Sequence, residues 1–306
     1  MSEVGPMVDE VDLRMCVDAA LQPMPSVDDA LVPMPLEQVP GLGVGVAVGS
    51  VKAPGRASPD VVVLCTRQPS AFAAVTTAST AAAAPCLWTR ERVPGLRRAV
   101  VVNSGNANAA TGAQGITDNL GMAEAVAGRL GCTADDVLVC STGVIGVPLP
   151  MGRLVPAIEQ AADEAAAAVG SFHDPAVAIC TTDTRPKRAG VKVGEVTVAG
   201  MAKGSGMIHP NMATMLGFLA TDAIVEPAHL QALLECVNAR TFNQISVDGD
   251  MSTNDTVILL ATGHGPQVSP EMPAWEDLVT AVSLVCRQLA RDIARLLHNR
   301  ICVVNC

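Results

Sequence analysis

The chain has 306 residues, 49% hydrophobic and only 2% aromatic, with no Tyr and a formal net charge of −10. No cluster of Lys and Arg offsets that charge, which argues against a nucleic-acid partner, since phosphate binding needs one. No apolar run reaches the ~18 residues of a membrane span, the acidic start MSEVGPMVDEVD lacks the pattern of a signal peptide, and the ten Cys form no CxxC, so zinc-ribbon and thioredoxin chemistry have no support.

Residues 1–41 read as a flexible acidic extension. Within them a unit appears twice, VDAALQPMP and then VDDALVPMP, and each copy ends in a Pro-Met-Pro that blocks helix and sheet. From Leu42 the pattern becomes globular. Val61–Leu64 and Ala99–Val102 are short apolar runs bounded by turn residues, and they predict buried strands. Thr117–Leu130 predicts a helix stopped by Gly131. Val137–Cys140 predicts a strand that feeds Ser141-Thr142-Gly143, and Arg153–Val169 predicts an Ala-rich helix. Strands are expected at Val196–Ala199, Met215–Leu219, Gln244–Val247 and Thr256–Ala261. Helices are expected at Leu230–Arg240 and Ala274–His298. Strands and helices interleave, so the fold class is α/β or α+β.

Three polar segments interrupt this pattern. The first, Asn103-Ser104-Gly105-Asn106-Ala107-Asn108, reads more simply as a turn than as a polar shelf beside a site. In the second, a strand ends in Thr142-Gly143, which puts a hydroxyl and an unencumbered N–H at one point. Such a pair can stabilise an oxyanion, although an ordinary strand-end turn has the same letters. The third runs from Gly200 to Leu216 and contains Lys203-Gly204-Ser205, but Pro210 follows where a phosphate-binding loop needs a helix. A fourth stretch, DGDMSTND at 248–255, crowds carboxylates without EF-hand spacing.

Together, the stretches VVNSGNANAATGAQG, STGVIGVPLPM, CTTDTRPK, AKGSGMIHPNMATMLGFLATDA and FNQISVDGDMSTNDTVILLA resemble the ornithine acetyltransferase family, the glutamate N-acetyltransferases of arginine biosynthesis. The resemblance covers roughly residues 42 to 262. It implies a self-cleaving threonine-nucleophile fold, with residues 42–213 as an α chain and 214–306 as a β chain. Cleavage would fall between Ala213 and Thr214. The Thr214 hydroxyl would attack the Ala213 carbonyl, and the resulting ester would hydrolyse. β-Branching restricts the rotamers of Thr214 and helps hold its oxygen in place. The freed α-amine, with a pKa of about 7.7–8.0, can serve as base for its own hydroxyl, so no catalytic His is needed. His209 lies near the cut but reads as a loop residue.

The resemblance assigns the oxyanion pair to Thr142 and Gly143, and substrate contacts to Thr181, Lys203 and Thr214. The reaction it implies is ping-pong. N-acetylornithine acetylates Thr214, ornithine leaves, and glutamate takes the acetyl group, with acetyl-CoA left open as a further donor. It implies no metal, and the expectations beside it are no cofactor, no nucleic-acid or membrane partner, an assembly of two α and two β chains, and a cytoplasmic location. The ten Cys, read as reduced, fit that location. Lys203→Met is expected to lower transfer while sparing self-cleavage, which involves no free carboxylate. The resemblance also implies an acidic DGEGA motif after the last helix, where this sequence reads LLHNRICVVNC. Loss of that acidic substrate contact is the corresponding expectation. Two other readings stay open: a threonine-nucleophile amidohydrolase or aminopeptidase, and an inactive truncated homologue.

Overall fold

The computed structural model describes residues 10–21, 31–55, 57–168, 171, 173–204, 215–246, 252–295 and 303–304. Its helices are α1 (Glu10–Ala20), α2 (Ala84–Arg90), α3 (Gly112–Leu130), α4 (Met151–Ala167), α5 (Pro175–Ala178), α6 (Pro227–Arg240) and α7 (Ala274–Arg295). Its strands are β1 (Leu42–Ala47), β2 (Val61–Thr76), β3 (Gly95–Asn106), β4 (Val137–Val144), β5 (Lys187–Val193), β6 (Val196–Lys203), β7 (Leu216–Thr221), β8 (Ile245–Ser246), β9 (Thr256–Ala261) and β10 (Val303–Val304).

Eight strands form one mixed sheet in the order β4-β3-β2-β9-β7-β6-β5, with β1 paired to β2 off that path. The β3–β4 and β7–β9 pairs are parallel and the rest antiparallel. The 16-residue β2 holds the sheet together. Its first half pairs with β1 and its second half with β9, and its register against β3 shifts between Cys65 and Ser70. At that shift the sheet folds over on itself. Val62, Leu64, Val100, Val102, Leu138 and Cys140 of one half meet Phe72, Met201, Phe218, Ile258 and Leu260 of the other in a shared core.

Alternation along each strand sends the intervening residues outward. Val61, Val63, Val101 and Val139 pack against α3 and α4, while Val191, Val198, Leu219 and Leu259 pack against α6 and α7. The result is four layers, helix–sheet–sheet–helix. Small residues allow the layers to approach closely. A Cβ at Gly45 would overlap the Ala161 carbonyl of α4, so the β1–α4 contact requires glycine there.

Each predicted strand and helix overlaps an observed one, and several observed elements run further, but Met215–Leu219 and Gln244–Val247 start one residue before β7 and β8, and Arg153–Val169, Gln244–Val247 and Ala274–His298 end beyond the described ends of α4, β8 and α7. Val61–Leu64 is only the first quarter of β2. The helix stop is as expected, with Gly131 left-handed at φ 65°.

The reading of residues 1–41 as a flexible extension is corrected where that segment is described. Leu13, Val17 and Leu21 recur every fourth residue, so α1 and its end present one apolar stripe, and all three are buried in the core shared with α6 and α7. Arg14 and Asp18 flank the stripe with ion pairs to Glu235 and Arg240 of α6. Val32 then exchanges two backbone hydrogen bonds with Gly190 of β5, and Leu36 and Val39 are buried in the inter-sheet core. Leu21→Ala should therefore lower folding stability by about 2–5 kcal/mol, seen as an earlier midpoint in urea unfolding. An unchanged midpoint would mean that this segment contributes nothing to the fold.

Candidate active site

The fold-over of β2 brings the end of β4 against the end of β6. Thr142 and Lys203 each keep only 2% of their surface exposed, and Lys203 Nζ donates to Thr142 Oγ1 at 3.0 Å. An ammonium is a donor only, so the threonine oxygen must accept this bond. Its own hydrogen is left to point elsewhere, toward a third group. A charged donor also polarises the O–H it binds. The pair therefore presents a hydroxyl donor backed by a positive charge.

Gly143, the next residue, has φ 137° and lies against the Gly105–Asn106 peptide of the parallel neighbour β3, where a Cβ would overlap that backbone. Only glycine fits this crossing. Its exposed backbone follows directly on Thr142.

The Asn-rich segment forms the scaffold behind this point. Asn103 and Asn108 are fully buried. Ser141 Oγ donates to Asn103 Oδ1 at 2.6 Å, and Asn103 Nδ2 donates to the Asn106 carbonyl at 2.9 Å. The turn continues through Asn108 and Ala110, both at positive φ. The segment is thus a strand end and a turn whose asparagines bond inward.

A buried ion pair lies close to Lys203. Asp183 and Lys187 form an ion pair with both side chains wholly buried. Asp183 Oδ1 also accepts the Gly204 N–H at 2.8 Å, so it pins the residue next to Lys203. Burial alone would raise the Asp183 carboxyl, but the Lys187 charge and the Gly204 N–H together hold it below the usual carboxylate range. Burial lowers the Lys203 ammonium, with Asp183 and Asp255 opposing. Thr181 is half-buried, and its N–H reaches Asp183 Oδ2 at 3.3 Å.

Of the residues singled out in the sequence, the fold brings Thr142, Gly143, Lys203 and Thr181 to one region. Ala213, Thr214 and His209 lie outside the described residues, as do Asp248 and Asp250. Met215, which follows Thr214 in the sequence, donates its N–H to Asp255 Oδ1 at 2.8 Å. Burial pushes the Asp255 carboxyl up to about 7, against the opposing pull of the Met215 N–H and the Lys203 charge.

Sequence reading missed Asp183, Lys187, Asn254 and Asp255. Two signals were available. Lys187 is one of only four Lys in the chain. The DGDMSTND stretch was weighed only as a metal loop, and Asp255 in it bonds backbone instead.

A four-layer protein with one mixed sheet folded over a Thr–Gly strand end and a buried Lys has the fold of the ornithine acetyltransferase type. The ornithine acetyltransferase from Mycobacterium tuberculosis, solved with ornithine, aligns with a TM-score of 0.50 at 32% identity, covering 60% of this chain and 98% of that one. The ArgJ protein of Bacillus halodurans aligns equally well, at 34% identity over 60% of this chain and 97% of that one.

The chain belongs to the ArgJ family, which it matches over residues 44–296. It is 47% identical to the arginine biosynthesis bifunctional protein ArgJ of Symbiobacterium thermophilum over 256 residues, which are 81% of this chain and 63% of that protein. It is 48% identical to the Geobacter sulfurreducens protein of the same name, over 85% of this chain and 66% of that protein. The chain thus spans a little under two thirds of the length of these curated relatives.

Proposed function

We propose that this chain is an N-acetyltransferase of amino acids. It cleaves itself between Ala213 and Thr214 and then carries acetyl on Thr214 from N-acetylornithine to glutamate. The observation that carries this reading is the buried Thr142–Lys203 hydrogen bond, which prepares a charge-backed hydroxyl donor at a strand end. Family membership and the MATML motif at 212–216 support it.

In this reading Thr142 and the Gly143 N–H receive the negative charge that develops on the attacked carbonyl oxygen. Fixed donors aimed at that charge lower the barrier because they need no reorganisation during the reaction. The α-amine of Thr214 takes the hydroxyl proton. Thr181 and Lys203 face the amino-acid part of the substrate. Residues 42–213 form the α chain and 214–306 the β chain, and two of each assemble. Acetyl-CoA is proposed as a second donor, in keeping with the name bifunctional that the relatives carry. Among the described residues no helix is long and apolar enough to cross a membrane, and a cytoplasmic location is part of the proposal.

The test is to trap the intermediate. Purified protein is mixed with N-acetylornithine without acceptor, quenched in acid and weighed. Fragment 214–306 should carry one acetyl group, and added glutamate should remove it as N-acetylglutamate. Acetate release without transfer to glutamate would instead identify a hydrolase.

A further inference from the structure

We propose that the dipeptide Asn254-Asp255 is a two-sided clamp that sets the oxyanion donor and the nucleophile at their working distance. The inference rests on the proposed roles of Thr142 and Thr214, and it assigns two positioning residues beyond them.

Asn254 holds one side. Its Nδ2 donates both hydrogens, to the Ala107 carbonyl at 2.6 Å and to the Ser141 carbonyl at 3.0 Å, and its Oδ1 accepts from Thr253 Oγ1 at 2.6 Å. Asp255 holds the other. Its Oδ1 accepts the Met215 N–H, and the neighbouring Thr256 N–H donates to the Met215 carbonyl at 3.2 Å. Met215 is therefore gripped through both its backbone groups.

Peptide planarity gives these bonds their reach. The Ser141 carbonyl shares a rigid plane with the Cα of Thr142, and the Met215 N–H shares one with the Cα of residue 214. Consecutive residues thus orient the two planes that carry the reacting groups. The clamp joins parts of the chain that the sheet does not pair, since β4 and β9 are separated by β3 and β2.

The residue types chosen are costly for a merely structural link. Asn254 and Asp255 are 4% and 0% exposed. Burying a carboxyl is costly, and such groups concentrate at functional sites. Burial also raises that carboxyl to about 7, so an amide of the same shape is a close substitute for its neutral form.

The test compares self-cleavage rates of the full chain. Asp255→Ala and Asn254→Ala should each slow cleavage at least about tenfold while circular dichroism and gel filtration match wild type. Asp255→Asn keeps the acceptor facing Met215 and should restore most of the rate, which loss of structure alone would not allow. Asp255→Ala cleaving at the wild-type rate, or Asp255→Asn cleaving no faster than Asp255→Ala, would overturn the clamp. Hydrogen exchange at the Met215 amide reads the same bond without any reaction and without depending on variants that fold. Protection in wild type supports the clamp, and free exchange there rules it out. A wild-type chain that protects Met215 yet never cleaves would count against self-cleavage and not against the clamp.

Discussion

Thr214→Ala is expected to leave the chain whole under denaturing conditions, where the wild type is expected to give two fragments, 1–213 and 214–306. The argument needs only chemistry. Cleavage by this route begins when a side-chain oxygen attacks the preceding carbonyl, and alanine has no such oxygen. Nothing else in the sequence offers a nucleophile at that peptide, since Ala213 and Met215 flank it. Thr214→Ser keeps the oxygen and loses the β-methyl that restricts its rotamer, so it should cleave more slowly without stopping. The same two variants should fail, and slow, in acetyl transfer. Intact mass after long incubation decides it. Fragments persisting in Thr214→Ala would remove Thr214 from the reaction.

The strands were legible where β-branched residues run unbroken. Val61–Leu64, Ala99–Val102 and Thr256–Ala261 announce themselves, and the last was read to the residue. The second half of β2 was not, because QPSAFAAVT holds Pro, Ser and Ala, and its strand character comes from pairing with β9. Lys187–Val193 was missed for a related reason. Its two Lys and one Arg look like a solvated stretch, yet Lys187 is buried against Asp183. The α1 stripe was present in the sequence at positions 13, 17 and 21, but the acidic setting and the Pro-Met-Pro repeats outweighed it.

The site divides in the same way. Thr142, Gly143, Thr181 and Lys203 could be named because their motifs are distinctive. Their contacts could not. Thr142 lies on one edge strand of the sheet and Lys203 on the last strand but one at the other side. They touch only because β2 bends between Cys65 and Ser70, and nothing local to either motif encodes that bend. Asp183, Asn254 and Asp255 act by holding backbone, a role that leaves no spacing pattern to read.

That contact changes what Lys203→Met should do. From sequence, the substitution is expected to spare self-cleavage. With Lys203 Nζ bonded to Thr142 Oγ1 in a buried site, methionine removes the group that fixes and polarises the hydroxyl. Self-cleavage and transfer develop charge on the same kind of carbonyl oxygen, so both should slow. The loss should approach that of one oxyanion donor, about 2.7–4 kcal/mol or roughly a hundred- to a thousandfold. Methionine fills most of the space of the lysine stem, and Asp183 keeps its Lys187 partner, so no unpaired charge is created beside it. Asp255 loses the cation that opposed its upward shift and stays protonated to higher pH. A double-mutant comparison separates the two roles of the lysine. In a Thr142→Ala background, Lys203→Met should cost self-cleavage little more, because the hydroxyl it supports is already gone. Transfer should still fall further in the double variant if Lys203, as proposed, also holds the substrate carboxylate. Equal residual rates of transfer with and without Lys203 in that background would show that the lysine acts through Thr142 alone. Unchanged self-cleavage in the single Lys203→Met variant would show that Thr142 needs no support.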